Sequence, residues 1–374
     1  MITGMINRGI NVKVFALSTP KFLIEKNSLP EDFRQKTGFE FYHLDTSVRL
    51  MGALKNFFTR KPYHLTRFVN EALEARIAHV LNENEFQVIQ IESLYMTPYI
   101  PLIRRLSKAV VVVRTHNIEH TIWRRIAANE RNIFKKVYLY LQASRLKKYE
   151  LKVLNTADGI ASITSVDEEY LIRKACIVPI RTIPFGIEPP ELTYYNIERE
   201  FPTLFFLGSL NWLPNTEGLR WFIDKVWGLI REDFPNLHFY IAGRNMPDWL
   251  QRLAVENIVP VGEVEDALSF MHSKSVMIVP LLSGSGMRVK IIEGMYASNA
   301  IVSTTIGAEG IDYNEGEDIF IADTPQAFAD AVKKCLLNST YCSKIGFKAR
   351  ELVLRSYMND KIKNRLVRFY KELM

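Results

Sequence analysis

Cysteine is scarce: Cys176, Cys335 and Cys342 are the only three in 374 residues, an odd number with no CxxC spacing. That excludes a disulfide scaffold and a paired-cysteine zinc site, and it fits a reducing compartment. Long apolar runs are missing as well. No stretch approaches the roughly 18–20 residues that cross a bilayer. The opening MITGMINRGINVKVF lacks the basic, apolar and small-residue regions of a signal peptide, so the sequence reads as cytosolic. Zinc-finger spacing, an RNP-like aromatic strand and basic-region heptads are absent too, which sets nucleic acid aside as a partner. Repeats of fixed period and low-complexity tracts are also lacking.

What is present is ordinary globular material, 48% apolar and 24% charged, long enough for two hydrophobic cores. The net charge of +7 is unevenly spread. Residues 1–190 carry 28 Lys/Arg against 18 Asp/Glu, and residues 191–374 carry 20 against 23. The basic half calls for an anionic partner, and an anionic membrane surface or a phosphate-bearing lipid fits that need.

Short β-rich apolar runs alternate with longer amphipathic stretches, the rhythm of α/β units around parallel sheets. The strand candidates are Val12–Leu17, Phe39–Leu44, Phe86–Ile91, Ala109–Arg114, Gly159–Ile163 and Ile177–Ile183, then Thr203–Leu207, Leu237–Ala242, Ile258–Val261, Val276–Pro280, Ala300–Ser303 and Ile319–Ile321. Two Rossmann-like halves follow, joined near Pro184-Phe185-Gly186-Ile187-Glu188-Pro189-Pro190 because paired prolines resist helix and central strand. The expected domains are 1–188, 189–345 and terminal helices over 346–374 that cross back to the first domain. One element is lacking. A doubly wound domain opens on a strand, yet this sequence begins inside the helix that should follow it, at Ile2–Arg8, with Gly9 as its stop. The first strand of the N-terminal domain is expected to be missing, and the functional chain to extend upstream by about 20 residues.

The strongest local motif is SVMIVPLLSGSGMRVKIIEGMYASN: a strand, the loop Ser283-Gly284-Ser285-Gly286, and a helix from about Met287. Glycines let backbone amides approach a ligand, and the helix start favours phosphate oxygens. Arg288 and Lys290 add charge, and Glu293 lies one turn beyond Lys290, where a carboxylate can accept from ribose hydroxyls. The plainer alternative is a tight turn followed by a solvated ion pair. Strand Thr203–Leu207 runs into Gly208-Ser209, with Asn211 beyond, and another strand ends at Gly243. Ligands bind at this edge of open parallel sheets. In the first half, VVVVRTHNIEH ends a β-branched strand in Arg114, Thr115, His116, Asn117 and Glu119, a polar cluster at the same kind of edge. A long helix over Trp123–Lys152 carries Arg124, Arg125, Arg131, Lys135 and Lys136 among apolar residues, either a solvated face over core or a membrane-surface contact. No Asp-x-Asp occurs, so an acidic metal clamp has no candidate and no metal ligand is assigned; no cofactor is expected either.

With these residues in view, the chain resembles the large group of retaining glycosyltransferases called group 1, or family four, which has the GT-B fold of two Rossmann-like domains facing across a cleft. The stretches that carry the resemblance are RTHNIEH (114–120), NTADGIASIT (155–164), TIPFGIE (182–188), FFLGSLNWLPN (205–215), YIAGR (240–244), VGEVEDALSFM (261–271) and VPLLSGSGMRVKIIEGMYASNAIVSTTIGAEGI (279–311). It implies metal-independent transfer from a nucleotide-diphosphate sugar, bound by the second domain, to a glycan or lipid-linked acceptor at the first, as in surface polysaccharide assembly. By the same resemblance Gly284 to Gly286 face the diphosphate, Arg288 or Lys290 neutralises it and Glu293 holds the ribose. Val264 flanks the base, and His116 sits beside the transferred sugar. The course implied is front-face attack, with a phosphate oxygen accepting the acceptor's proton. Two departures stand out. Ser285 occupies the position where many relatives carry a glutamate on the donor sugar, and the first strand is lacking. A nucleotide-sugar epimerase or hydrolase and a catalytically silent nucleotide-sugar binder are the rival readings.

Overall fold

The computed structural model describes residues 1–374 except 21, 26–28, 49–51, 53–55, 58, 60, 189–196 and 285. It divides into two units, one formed by Met1–Pro184 with Ile362–Met374 and the other by Phe185–Lys361. The division falls at the start of the proline-bearing stretch expected as the seam; Pro189 and Pro190 lie outside the described residues.

In the first unit the strands are β1 (Phe15–Ser18), β2 (Glu40–His43), β3 (Val88–Glu92), β4 (Val110–Thr115), β5 (Gly159–Ser162) and β6 (Ile180–Thr182). They form two separate parallel sheets, β1-β2 and β3-β4-β5-β6. The apolar run Val110–Val113 becomes the buried heart of the larger sheet because β-branched side chains fill both faces of a pleat covered by helices. A short helix over Ile2–Ile6 is followed by Gly9 at φ +75°.

The second unit holds β7 (Thr203–Leu207), β8 (His238–Ala242), β9 (Ile258–Gly262), β10 (Val276–Val279), β11 (Ala300–Ser303) and β12 (Phe320–Ile321) in one parallel sheet, order β12-β11-β10-β7-β8-β9. The first strand, β7, is therefore central and its five residues are all buried. The order reverses between β10 and β8, the switch point at which open sheets bind ligands. Phe222, Phe239 and Phe328 anchor the core of this unit.

Two expectations need correction. The helix expected over Trp123–Lys152 is two, Glu119–Asn129 and Ile133–Leu154. The break comes at Glu130–Asn132, where the Asn132 side chain accepts from the Lys135 amide at 3.1 Å and starts a new helix rather than continuing the old one. The helix Ser339–Ser356 does not cross back with the terminal segment; it stays with the second unit, packing Cys342 and Ile345 into that core. Only the helix Asn359–Leu373 reaches the first unit. Its Ile362, Leu366 and Phe369 are buried against Val112, Ala161 and Ile183, and it lies so close to β5 that a β-carbon on Gly159 would meet the Phe369 ring at 2.8 Å.

Candidate functional site

At the carboxyl edge of β7, β8 and β10 the second unit has a cavity of about 620 Å³. Among its lining residues are Gly208, Ser209, Gly243, Val264, Arg288 and Lys290. Two turns nest there backbone to backbone. The Gly208 amide donates to Ala242 O at 3.2 Å, the Leu210 amide to Arg244 O at 2.8 Å, and the Gly243 amide to Gly262 O at 2.7 Å. Gly243 has φ +151°, and a β-carbon on it would overlap the Gly208 carbonyl, so glycine at this position serves the nesting of the turns as well as any ligand. Ser209 Oγ donates to Asn211 Oδ1 at 2.7 Å, which fixes Asn211 beside the cavity rather than in its wall.

The helix after β10 starts at Val289, two residues later than expected. Gly284 and Gly286 adopt φ +118° and +86°, and the helix Val289–Tyr296 follows. Arg288 stands just before this helix, and its guanidinium lies 4.9 Å from the Trp212 ring centroid, a cation–π contact that holds the charge against the cavity. Ser283 Oγ donates to Glu217 Oε2 at 3.0 Å and anchors the loop. Lys290 Nζ and Glu293 Oε2 pair at 2.7 Å across one helical turn. Glu293, Gly284 and Gly286 are not among the residues that line the cavity, and Ser285 lies outside the described residues.

In the first unit the ends of β3 and β4 are in register, Glu92 beside Arg114. His116 Nε2 and Glu92 Oε2 are 2.6 Å apart, and Arg114 Nη1 is 3.7 Å from Glu92 Oε1. Burial alone would push the Glu92 carboxyl up, but the His116 hydrogen bond and the Arg114 charge reverse this and hold it below the usual carboxylate range. Arg114 is itself buried, and its Nη2 donates to Ile183 O at 3.4 Å, so it braces Glu92 from within the sheet. Asn117 follows, half-buried.

Glu119 is oriented by others. It accepts from Tyr95 Oη at 2.9 Å, and its pKa is pushed up to about 7, chiefly by burial, with the charge of Glu150 adding to the shift. Glu150, fully buried, accepts from the Glu119 and His120 amides at 2.9 and 3.1 Å and lies 2.6 Å from His120 Nδ1. It caps the start of helix Glu119–Asn129, where a carboxylate is favoured by free amides and the helix dipole. Neither Glu92 nor Glu150 is singled out by the sequence. Glu92 had one available signal, its place at the carboxyl end of a parallel strand.

Beyond these sites, the hairpin of Glu119–Asn129 and Ile133–Leu154 exposes Ile126, Ile133, Phe134 and Val137 near its tip, beside exposed Arg124, Arg125, Arg131 and Lys135. Phe134 is 84% exposed. Among the described residues no helix is long and apolar enough to cross a membrane.

Comparisons with known proteins agree with this architecture. Residues 201–338 match the family model for group 1 glycosyl transferases. A Klebsiella pneumoniae protein described as an uncharacterized 44.6 kDa protein in the cps region is 26% identical over 263 residues, 67% of this chain; the match spans 66% of that relative, just under two thirds of its length. Sucrose-phosphate synthase from Thermosynechococcus elongatus superposes with a TM-score of 0.67 at 16% identity, over 99% of this chain and 90% of the synthase. Anabaena HepE, solved in complex with UDP, gives 0.61 at 10% identity over 96% and 100%. The fold is GT-B, built of two Rossmann-like units, and residues 201–338 of this chain match the group 1 glycosyl transferase family.

Proposed function

We propose that this protein moves a sugar from a nucleoside-diphosphate donor to a glycan or lipid-linked acceptor, with retention, without a metal, in the assembly of a surface polysaccharide. The observation that carries the reading is the cavity at the switch point of the second sheet. It brings the turn glycines 208 and 243, Val264, and the cations Arg288 and Lys290 to one edge. The family match over residues 201–338, the UDP bound by HepE and the cps location of the Klebsiella relative support it.

The diphosphate is assigned to Arg288, Lys290 and the amides from Gly284 to Gly286, Ser285 among them. As the bond from sugar C1 to the phosphate oxygen breaks, negative charge grows on the departing diphosphate. Fixed cations and amides stabilise that charge more than the ground state, which is what lowers the barrier. A phosphate oxygen takes the proton of the attacking hydroxyl on the same face, so no protein nucleophile is needed. Glu293 is assigned to the ribose, Val264 to the base, and Ser209 with Asn211 to the donor phosphates. His116, oriented by Glu92, is assigned to the sugar, with Arg114, Asn117 and Glu119 on the acceptor side. The basic, apolar hairpin tip is assigned to an anionic membrane surface, and the protein to the cytoplasm at the inner membrane face.

Calorimetric titration with UDP, GDP and dTDP tests the core of this reading. One of them should bind, and Arg288→Ala should weaken it by about tenfold or more, since a charge-assisted hydrogen bond is worth roughly 1.5–3 kcal/mol. Glu293→Ala should do the same if it holds the ribose. Binding of none of the three by the wild-type chain would overturn the assignment of the cavity.

A further inference from the structure

Side chains along a strand alternate between its faces, so Val88, Gln90 and Glu92 of β3 share one face with Val110, Val112 and Arg114 of β4, their partners in register. On this face lies the terminal helix Asn359–Leu373, where Val88, Val110 and Val112 pack together with Ile362, Leu366, Phe369 and Tyr370. The stripe is apolar where β3 and β4 begin and turns polar toward their carboxyl edge. At that change Tyr370 Oη donates to Gln90 Oε1, and Gln90 Nε2 donates to Glu92 Oε1 at 2.5 Å. The other Glu92 oxygen, Oε2, lies 2.6 Å from His116 Nε2. An unbroken run of side-chain hydrogen bonds leads from the terminal helix to His116.

We propose that Tyr370 and Gln90 are positioning residues for His116: acting through Glu92 they hold its ring at the edge of the sheet, so that docking of the terminal helix completes that edge. The inference rests on the assignment of His116 to the transferred sugar. The direction of every bond follows from one charge. An ionised carboxylate only accepts, so Glu92 receives an N–H from Gln90 on one oxygen and from His116 on the other. The Gln90 amide is thereby turned with its oxygen toward Tyr370, which must donate. Tyr370 keeps its proton for this at any working pH, because burial, with the charge of Glu92 adding to it, holds the hydroxyl far above the ordinary tyrosine range. Phenylalanine in its place would keep the packing but free the amide to turn over and present its oxygen to the carboxylate, where two acceptors repel.

Glu92 needs such fixing because burial does not supply it. Its side chain is 48% exposed, and a solvated carboxylate samples its rotamers freely. Arg114 Nη1, at 3.7 Å from Oε1, is too distant for a hydrogen bond and contributes charge more than direction. Gln90 and His116, one to each oxygen, contribute the direction. A group that orients a histidine through its partner acts without touching the reacting atoms, as outer residues do around a metal-bound imidazole.

The test follows Glu92 and His116 by NMR in the whole chain, with 13C-labelled glutamate carboxyls and 15N-labelled histidine rings. The two signals are identified by their loss in Glu92→Gln and His116→Gln. In the wild type the Glu92 carboxyl should titrate below the ordinary 4.5 of a glutamate, and the His116 ring should show a step at the same midpoint. Tyr370→Phe and Gln90→Met should each raise that midpoint by about half a pH unit or more, the effect of removing a hydrogen bond from the charged form, and shrink the His116 step. Ile362→Val, which thins the packing at the far end of the same helix, should lower Tm and leave the midpoint in place. Wild-type midpoints in both Tyr370→Phe and Gln90→Met would overturn the proposal. So would a shift in Ile362→Val equal to that in Tyr370→Phe, since the helix would then act by packing alone. A shift in Gln90→Met without one in Tyr370→Phe would overturn the part given to Tyr370. Both signals are read without nucleotide, so they stand apart from whether the cavity of the second unit binds one.

Discussion

A methyl group on Gly243 has nowhere to go, since it would overlap the carbonyl of Gly208 and the φ of +151° disfavours any L side chain. Gly243→Ala should therefore separate the two nested turns, costing about 1–3 kcal/mol in denaturant unfolding and much of the affinity for nucleotide. A variant with the wild-type unfolding midpoint would show that the turns are not held this way. Glu119 makes a second prediction at this scale. Its folded pKa, about 7, is raised above the ordinary 4.5 of a glutamate, so the folded state binds the proton more tightly than the unfolded one. Stability contributed by the protonated form is fully present below pH 4.5 and is lost as pH rises through 7. Glu119→Gln should match the wild type at pH 4.5 and exceed it at pH 8 by roughly 1–3 kcal/mol. Parallel stability curves across that window would refute the shift. What was legible here followed from local spacing: Arg288 and Lys290 sit two residues apart after a glycine loop, and the structure places both at the cavity. Glu150 was not legible, because it reaches its amides from 30 residues away, at Glu119 and His120, and no local pattern encodes that contact.

At the scale of elements, apolar runs such as Thr203–Leu207 and Ala300–Ser303 declared themselves as strands because both faces are buried and β-formers fill them. The hairpin was harder to read. Its basic residues looked like one helix until the cap at Asn132 intervened, and its tip leaves Ile133, Phe134 and Val137 in solvent, where periodicity alone would have assigned them to a core. Basic and apolar groups together at a helical tip are the signature of an interfacial contact. Vesicles containing phosphatidylglycerol should bind the protein at low salt. Arg124→Glu with Arg125→Glu should remove the salt-sensitive part, whereas Phe134→Ser with Val137→Ser should weaken binding about tenfold and leave the salt dependence in place. Indifference of the wild type to such vesicles would rule the contact out.

For the molecule as a whole, the first unit is discontinuous. The chain leaves it at Pro184 and rejoins it at Ile362, after the whole of the second unit. The face of β4 and β5 that carries Val112 and Ala161 is closed by Ile362, Leu366 and Phe369, with Gly159 allowing the close approach. On the ribosome these three residues emerge only after Phe185–Lys361 has been translated, which at ~5–20 residues per second takes roughly 10–35 seconds. The part of the protein made first is thus the last to be finished. While the second unit can fold as soon as its own residues are out, the first waits with an apolar sheet face covered only in part, by Met5 and its neighbours, and for that interval a nascent chain of this protein is a natural client for a holding chaperone.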